Sequence, residues 1–273
     1  MACQLGAFTR LWRGLEIREA IPQVAKAGYK YIGLLGSKDM PTWETPKSEL
    51  QEIKKVIADN GLTFLTTWAH MPDDGNVDPF KGQLDMIAEL GGKHQLMGGP
   101  WPYKTFPDEL FPADELKEKN DTYFNGISAC VEHAAKVGVQ IVLKPHTGVS
   151  ATSKECLESV QRVNHPNFRI WHDPANVSFY EGVQDDCAPV AEYVTGICVK
   201  DHSGVRAEGD FSTPGDGKTD WPGVWKVLKA ADFDGPAVVE IIKAETPEEC
   251  HREAVRALEF MKRTMTEAGL EVD

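Results

Sequence analysis

The chain has 273 residues, 41% of them apolar, with 29 basic against 42 acidic side chains and a formal net charge of −13. That length fits one large α/β domain or two small ones, and the acidity argues for a soluble chain and against a protein that tracks nucleic-acid phosphates. No run is long enough to span a bilayer, and no leader pattern appears in residues 1–25; six dispersed cysteines without a CxxC pair predict reduced, mostly buried thiols in a cytoplasmic protein.

Along the chain, short apolar runs alternate with longer amphipathic stretches. The first run, CQLGAF (3–8), is followed by FTRLWRG, which contains neither a GxGxxG turn nor a P-loop, so no nucleotide cofactor is expected. IREAIPQVAKAG (17–28) predicts a helix stopped by glycine, and YKYIGLLG (29–36) a second strand. SELQEIKKVIADNG (48–61) and DMIAELGG (85–92) repeat the helix-then-glycine pattern before the strands LTFLTTWAH (62–70) and KHQLMGGP (93–100). A longer helix over 114–138 leads into VQIVLKPH (139–146). CLESVQRV (156–163) precedes FRIWHDPAN (168–176), CAPVAEYV (187–194) precedes ICVKDHSG (197–204), and WPGVWKVLKAAD (221–232) precedes PAVVEII (236–242). The last helix, 248–269, has a start signal in Thr246-Pro247-Glu248-Glu249: an N-cap, a first-turn proline and first-turn acids. Eight strand–helix units predict an α/β protein, a (β/α)8 TIM barrel forming one domain over residues 1–273.

In such a barrel the active site lies at the C-terminal ends of the strands. The third strand ends in Trp68-Ala69-His70, the fourth in Gly98-Gly99-Pro100-Trp101, and the fifth in Lys144-Pro145-His146. The sixth ends in His172-Asp173-Pro174-Ala175-Asn176, the seventh carries Lys200-Asp201-His202, and the eighth carries Glu240. Polar groups gathered at one end are not what apolar packing produces, because charges are rarely buried without a partner or a use. Side chains alternate faces along a strand, so Lys144 shares a face with Val142, Asp173 with Trp171, Lys200 with Cys198 and Glu240 with Val238. If those faces point inward, the four charges converge above the barrel core.

The order VLKPH, HDPAN, VKDHSG, GDG and DFDGPAVVEI, with its spacing, resembles the xylose isomerase-like TIM-barrel family of sugar phosphate isomerases and epimerases, over nearly the whole chain. The resemblance implies a small-molecule carbohydrate as partner; the charge and the lack of a long apolar run predict no nucleic acid and no membrane, and a homo-oligomer is left open. It also implies a divalent metal (Mn, Mg, Co or Zn) held by Glu, Asp, His and Glu at the ends of strands five to eight. Asp173 and Glu240 match the second and fourth ligands; Lys144 stands at the first and Cys198 at the third. Two arrangements are open. In one, the Lys144 ammonium replaces the metal's charge between Asp173 and Glu240. In the other, the metal has moved to a set drawn from Asp173, Glu240, His146 and His202, with nitrogen and oxygen donors that Zn or Mn accept.

Lys144 is read as an acid/base or substrate-oxygen clamp with a pKa lowered by desolvation, or as half of a structural ion pair. Glu240 is the candidate base or ligand, and His146 the candidate ligand, proton carrier or carbonyl-polarising group. Trp68, His70, Trp101, Asn176, Lys200 and His202 are candidate substrate-binding residues. Phe179 and Tyr180 are further aromatic candidates, although core packing is the better explanation for any single one of these rings. Lys200 and Asp201 are expected to pair with each other, and residues 209–221 to form a loop over the site. The expected reaction is isomerisation or epimerisation through proton transfer next to a carbonyl. The alternatives are a lyase or hydratase acting on 3-keto-glycosides, and a non-catalytic sugar-binding barrel. An abasic-site endonuclease would need more histidine ligands than this chain offers.

Overall fold

The computed structural model describes residues 2–181, 187–204 and 210–273, with the side chains of residues 179–181 outside the description. Its eight central strands are β1 (Gln4–Phe8), β2 (Tyr31–Leu34), β3 (Thr63–Trp68), β4 (His94–Met97), β5 (Gln140–Leu143), β6 (Phe168–His172), β7 (Val194–Val199) and β8 (Pro236–Val239). All pair in parallel in chain order, and β1 closes the ring by pairing with β8 as well as β2. The helices are α1 (Ile17–Lys26), α2 (Lys47–Asp59), α3 (Asp78–Leu90), α4 (Ala113–Val137), α5 (Ser153–Val163), α6 (Pro174–Glu181), α7 (Trp221–Ala230) and α8 (Pro247–Glu267). The predicted (β/α)8 barrel is therefore the observed fold. Among the described residues no helix is long and apolar enough to cross a membrane.

The helix boundaries follow the capping chemistry. Thr246 Oγ1 accepts the Glu249 amide, as the N-cap reading expects, and the Glu249 side chain returns to the Thr246 amide, a reciprocal pair the sequence reading did not include. Gly138 ends α4 at φ 75°, in the left-handed region where a Cβ would be strained. Two assignments are corrected. CAPVAEYV forms only a 3-10 segment over Ala188–Tyr193, a turn with proline at its start. The helix after β6 is instead Pro174–Glu181, beginning inside the stretch read as strand, because a proline just past Asp173 suits a first helical turn.

Two apolar layers hold the barrel. The outer one packs the helices against the outward strand faces. The inner one is Phe8, Leu65, Leu96, Val142, Trp171, Cys198 and Val238, all buried. These include the four residues that parity assigned to the inward face. Two glycines make room for the large rings: a Cβ on Gly33 would overlap the Phe8 ring, and one on Gly196 the Trp171 ring. Each aromatic thus lies across a side-chain-free position on the next strand. Gly196→Ala should destabilise the fold by roughly 1–3 kcal/mol through overpacking, read from the urea midpoint, whereas the same change at exposed Gly61 at most strains a positive φ.

Candidate active site

Four charged residues each sit one position past a strand: Lys144 after β5, Asp173 after β6, Lys200 after β7 and Glu240 after β8. The ladders carry these positions on. The Lys144 amide donates to Met97 O at 2.8 Å and the Glu240 amide to Val199 O at 2.9 Å, so the inward alternation continues past the last paired residue. All four side chains are buried, with exposures of 3% for Lys144, 0% for Asp173, 1% for Lys200 and 4% for Glu240. Lys144 Nζ lies 2.8 and 2.7 Å from the two Glu240 oxygens and 2.9 Å from Asp173 Oδ2. Lys200 Nζ lies 2.6 Å from Asp173 Oδ2 and 2.7 Å from Glu240 Oε2. Two ammoniums and two carboxylates alternate in a neutral square above the inner layer.

This geometry sets the proton affinities. Burial by itself would push Lys144 down, but Asp173 and Glu240 outweigh it and hold the amine well above its ordinary value. The lowered lysine expected from desolvation is thus corrected. Burial likewise favours a neutral Glu240, yet Lys144, Lys200 and Arg10, with the Lys144 hydrogen bond, keep it ionised well below the usual carboxylate range. Lys144 and Glu240 therefore face each other as an ion pair at neutral pH.

A cavity of about 580 Å³ opens over Lys144 and Glu240, walled by Trp68, His70, Trp101 and His146. Trp68 Nε1 donates to His70 Nε2 at 2.9 Å, so that nitrogen is the acceptor and the His70 proton sits on Nδ1. The His146 ring stands between the two indoles, with centroids 6.5 Å from Trp68 and 6.2 Å from Trp101. Burial first, then the Lys144 and Lys200 charges, lowers its pKa to about 4, so it is neutral at pH 7. His70 is also lowered by burial, against the pull of Asp73. The Lys144 ammonium lies 5.8 Å from the Trp68 ring centroid, within cation–π range.

The remaining candidates fall elsewhere. Lys200 and Asp173 complete the square but do not line this cavity. Asn176 donates its side-chain amide to Pro145 O at 2.7 Å and its backbone amide to Asp173 Oδ1 at 2.9 Å, which ties α6 to the end of β5 and aims Asp173. His202 is buried, its Nδ1 2.8 Å from Gly204 O, away from the cavity wall. The expected Lys200–Asp201 pair does not form. Asp201 instead accepts the amides of Gly215 and Thr219, each at 3.0 Å, and folds the 210–221 stretch; Gly209 lies outside the described residues, as do the side chains of Phe179 and Tyr180. Sequence reasoning missed Arg10, which follows β1, lines the cavity and places Nη1 3.6 Å from Glu240 Oε1. Reading the end of the first strand as the other strand ends were read would have found it.

The residues do not fit the metal that the family resemblance implies. The group able to offer ligand atoms within 4.8 Å of one another is Asp173, Cys198 and Glu240; neither His146 nor His202 joins it among the described residues. His146 lies two residues beyond Lys144, up on the cavity wall. The oxygens a divalent ion would take already receive two ammoniums. Cys198, the third member of that group, packs in the inner apolar layer with Val142, Trp171 and Val238.

A closed parallel barrel with charged, buried groups at one mouth beside a partly apolar cavity has the architecture of a (β/α)8 enzyme scaffold. Residues 21–264 match the family described as xylose isomerase-like TIM barrel, and the chain belongs to that family. Among curated proteins it is similar to an inosose dehydratase of Geobacillus thermodenitrificans, at 22% identity over 92% of this chain and 90% of that one. It is also similar to an L-ribulose-5-phosphate 3-epimerase of Shigella flexneri, at 26% identity over 59% of this chain and 57% of the other. Its fold is shared with the solved apo structure of 3-keto-D-glucoside 4-epimerase from E. coli, with TM-score 0.73, 17% identity and coverage of 94% and 99%.

Proposed function

We propose that this barrel is a sugar epimerase or isomerase that moves a proton at the carbon next to a carbonyl. The carrying observation is a Lys144 ammonium, fixed by three carboxylate oxygens within 2.9 Å, that shares one cavity with ionised Glu240 and neutral His146. The sugar epimerases and the dehydratase among the relatives support the substrate class.

The chemistry follows from the coupling between Lys144 and Glu240. At rest Glu240 is a poor base, because two ammoniums hold it ionised. A substrate carbonyl oxygen that accepts an N–H from Lys144 takes that donor from Glu240. The carboxylate's proton affinity then rises where it is needed. Glu240 removes the proton, the C–H electron pair becomes a C=C bond, and the carbonyl oxygen becomes an enediolate oxyanion facing Lys144 and Arg10. His146 is the second proton carrier: its neutral ring first takes a proton from solvent and then donates it, while Glu240 releases the abstracted proton to solvent or returns it itself. A proton returned to the other face of the same carbon gives the epimer; one returned to the former carbonyl carbon gives the isomer. Trp68 and Trp101 offer apolar faces to the sugar ring.

The second reading, a dehydratase or lyase on a keto sugar, is favoured by one observation: the dehydratase likeness runs over 92% of the chain. It shares the first step, after which the enediolate expels a leaving group from the neighbouring carbon. Incubation of the protein in D2O with a panel of ketoses and 3-keto-glycosides separates the two. The epimerase reading expects recovered sugar carrying deuterium at the carbon next to the carbonyl, with every C–O bond intact. Loss of water or aglycone would favour the second reading, and neither exchange nor product would leave a sugar-binding barrel.

A further inference from the structure

We infer that the Lys144 ammonium takes the place of a divalent cation in this barrel, so that the chain carries its own positive charge at the strand ends and works without a metal. The inference concerns what occupies the site and holds whichever sugar reaction is catalysed.

Position is the first argument. Asp173, Cys198 and Glu240 present ligand atoms within 4.8 Å of one another, a spacing that could enclose one ion. Lys144 Nζ contacts the Asp173 and Glu240 oxygens of that group at 2.7–2.9 Å. These are hydrogen-bond lengths; a bound zinc would draw carboxylate oxygens in to about 2.0–2.2 Å. An ion and the ammonium cannot share that space.

Charge is the second. The two carboxylates are already balanced by Lys144 and Lys200, and Lys200 is held in place by both acids with its ammonium 4.6 Å from the Phe211 ring centroid. A divalent ion added to a neutral buried square would leave two uncompensated charges away from water, with like charges a few ångströms apart. The remaining donor is the third argument. Cys198 belongs to the inner apolar layer with Val142, Trp171 and Val238, so its side chain packs as a hydrophobe.

An ammonium differs from a metal in what it can do. It offers N–H donors and one charge, and it yields a donor to a substrate oxygen without opening a coordination shell. The site therefore trades a rigid oxygen template for a switchable hydrogen-bond donor.

The test is metal content, not turnover. Untagged wild-type protein loaded with millimolar Mn, Co, Zn or Mg and then desalted is expected to retain far less than one ion per chain by elemental analysis, and its thermal midpoint should be unmoved by EDTA. The double substitution Lys144→Glu with Cys198→His should gain about one tightly held ion per chain and a midpoint that falls on chelation. Wild-type protein that keeps about one ion per chain, with a midpoint lowered by EDTA, would overturn the inference, as would a folded double variant that takes up none. Should the double variant not fold, the wild-type measurements decide the matter in either direction.

Discussion

Lys144→Met should lower folding stability by about 3–5 kcal/mol and abolish most turnover. Methionine roughly matches the stem's volume, so the packing change is small. The electrostatic change is not, because Asp173 and Glu240 are both buried and keep only Lys200 between them, with Arg10 at 3.6 Å from Glu240. Breaking a buried pair from one side leaves a charge with neither water nor a full partner, which is where the large value comes from. A urea titration of wild type and variant measures it. Adding Glu240→Gln to the lysine change should return part of the loss, since the site is then neutral again. A loss below about 1 kcal/mol at unchanged m-value would mean that the square is hydrated in solution and worth no more than a surface pair.

The pH dependence has a definite sign. Glu240 is depressed in the folded state, so its contribution is present above the unfolded carboxylate value of about 4.3 and is lost as pH falls through the much lower folded value. Lys144 is raised, so its contribution is present below about 10.4 and is lost only as pH climbs through the higher folded value. Neither group makes wild-type stability change between these limits. The methionine variant loses the first of the three cations that depress Glu240, so its acid unfolding should begin at a higher pH than that of the wild type.

His146→Asn should reduce kcat by about 10²–10⁴-fold while leaving the fold nearly as stable, because asparagine keeps the polarity but cannot exchange protons near neutrality. Steady-state kinetics on whichever keto sugar shows deuterium exchange gives the first number, and a denaturation curve gives the second. A distinct signature accompanies them. With a folded pKa of about 4 against 6.5, the native state disfavours protonated His146, so wild-type stability declines as pH drops through that window. His94 at the start of β4, also lowered to about 4 by burial, contributes in the same direction. The variant should therefore show a shallower decline, not a flat line. Full activity in the asparagine variant would remove His146 from the reaction and leave Glu240 as the sole proton carrier.

Much of this protein was open to reading along the chain, for reasons of local physics. Strand positions follow from short apolar runs between helix stops. The α8 start follows from Thr246, Pro247 and Glu249, whose hydrogen bonds are made within one turn. The inward direction of Lys144, Asp173, Lys200 and Glu240 follows from a period of two, which the ladder maintains one residue beyond β5 and β8. Helix α6 was hidden because HDPAN continues an apolar strand without a break, and only packing places the chain reversal at Pro174. Arg10 was hidden because it sits in a run, FTRLW, that reads as ordinary helix-forming sequence.

By itself, then, the order of residues determined which side chains reach the mouth of the barrel: four charges at strand ends, with His146 just beyond. Only the tertiary structure decided how they meet. Closure of the ring and the relative register of β5 to β8 put Lys144 between two acids, gave Lys200 to the same acids in place of its neighbour Asp201, and left His146 on the cavity wall. The physical reason is one of range. Alternation and capping act over a few residues, whereas the sign of the Lys144 shift depends on carboxylates 29 and 96 positions away being within 2.9 Å of its nitrogen rather than merely in the same chain. Burial alone would have lowered that amine; two acids delivered by other strands raised it instead.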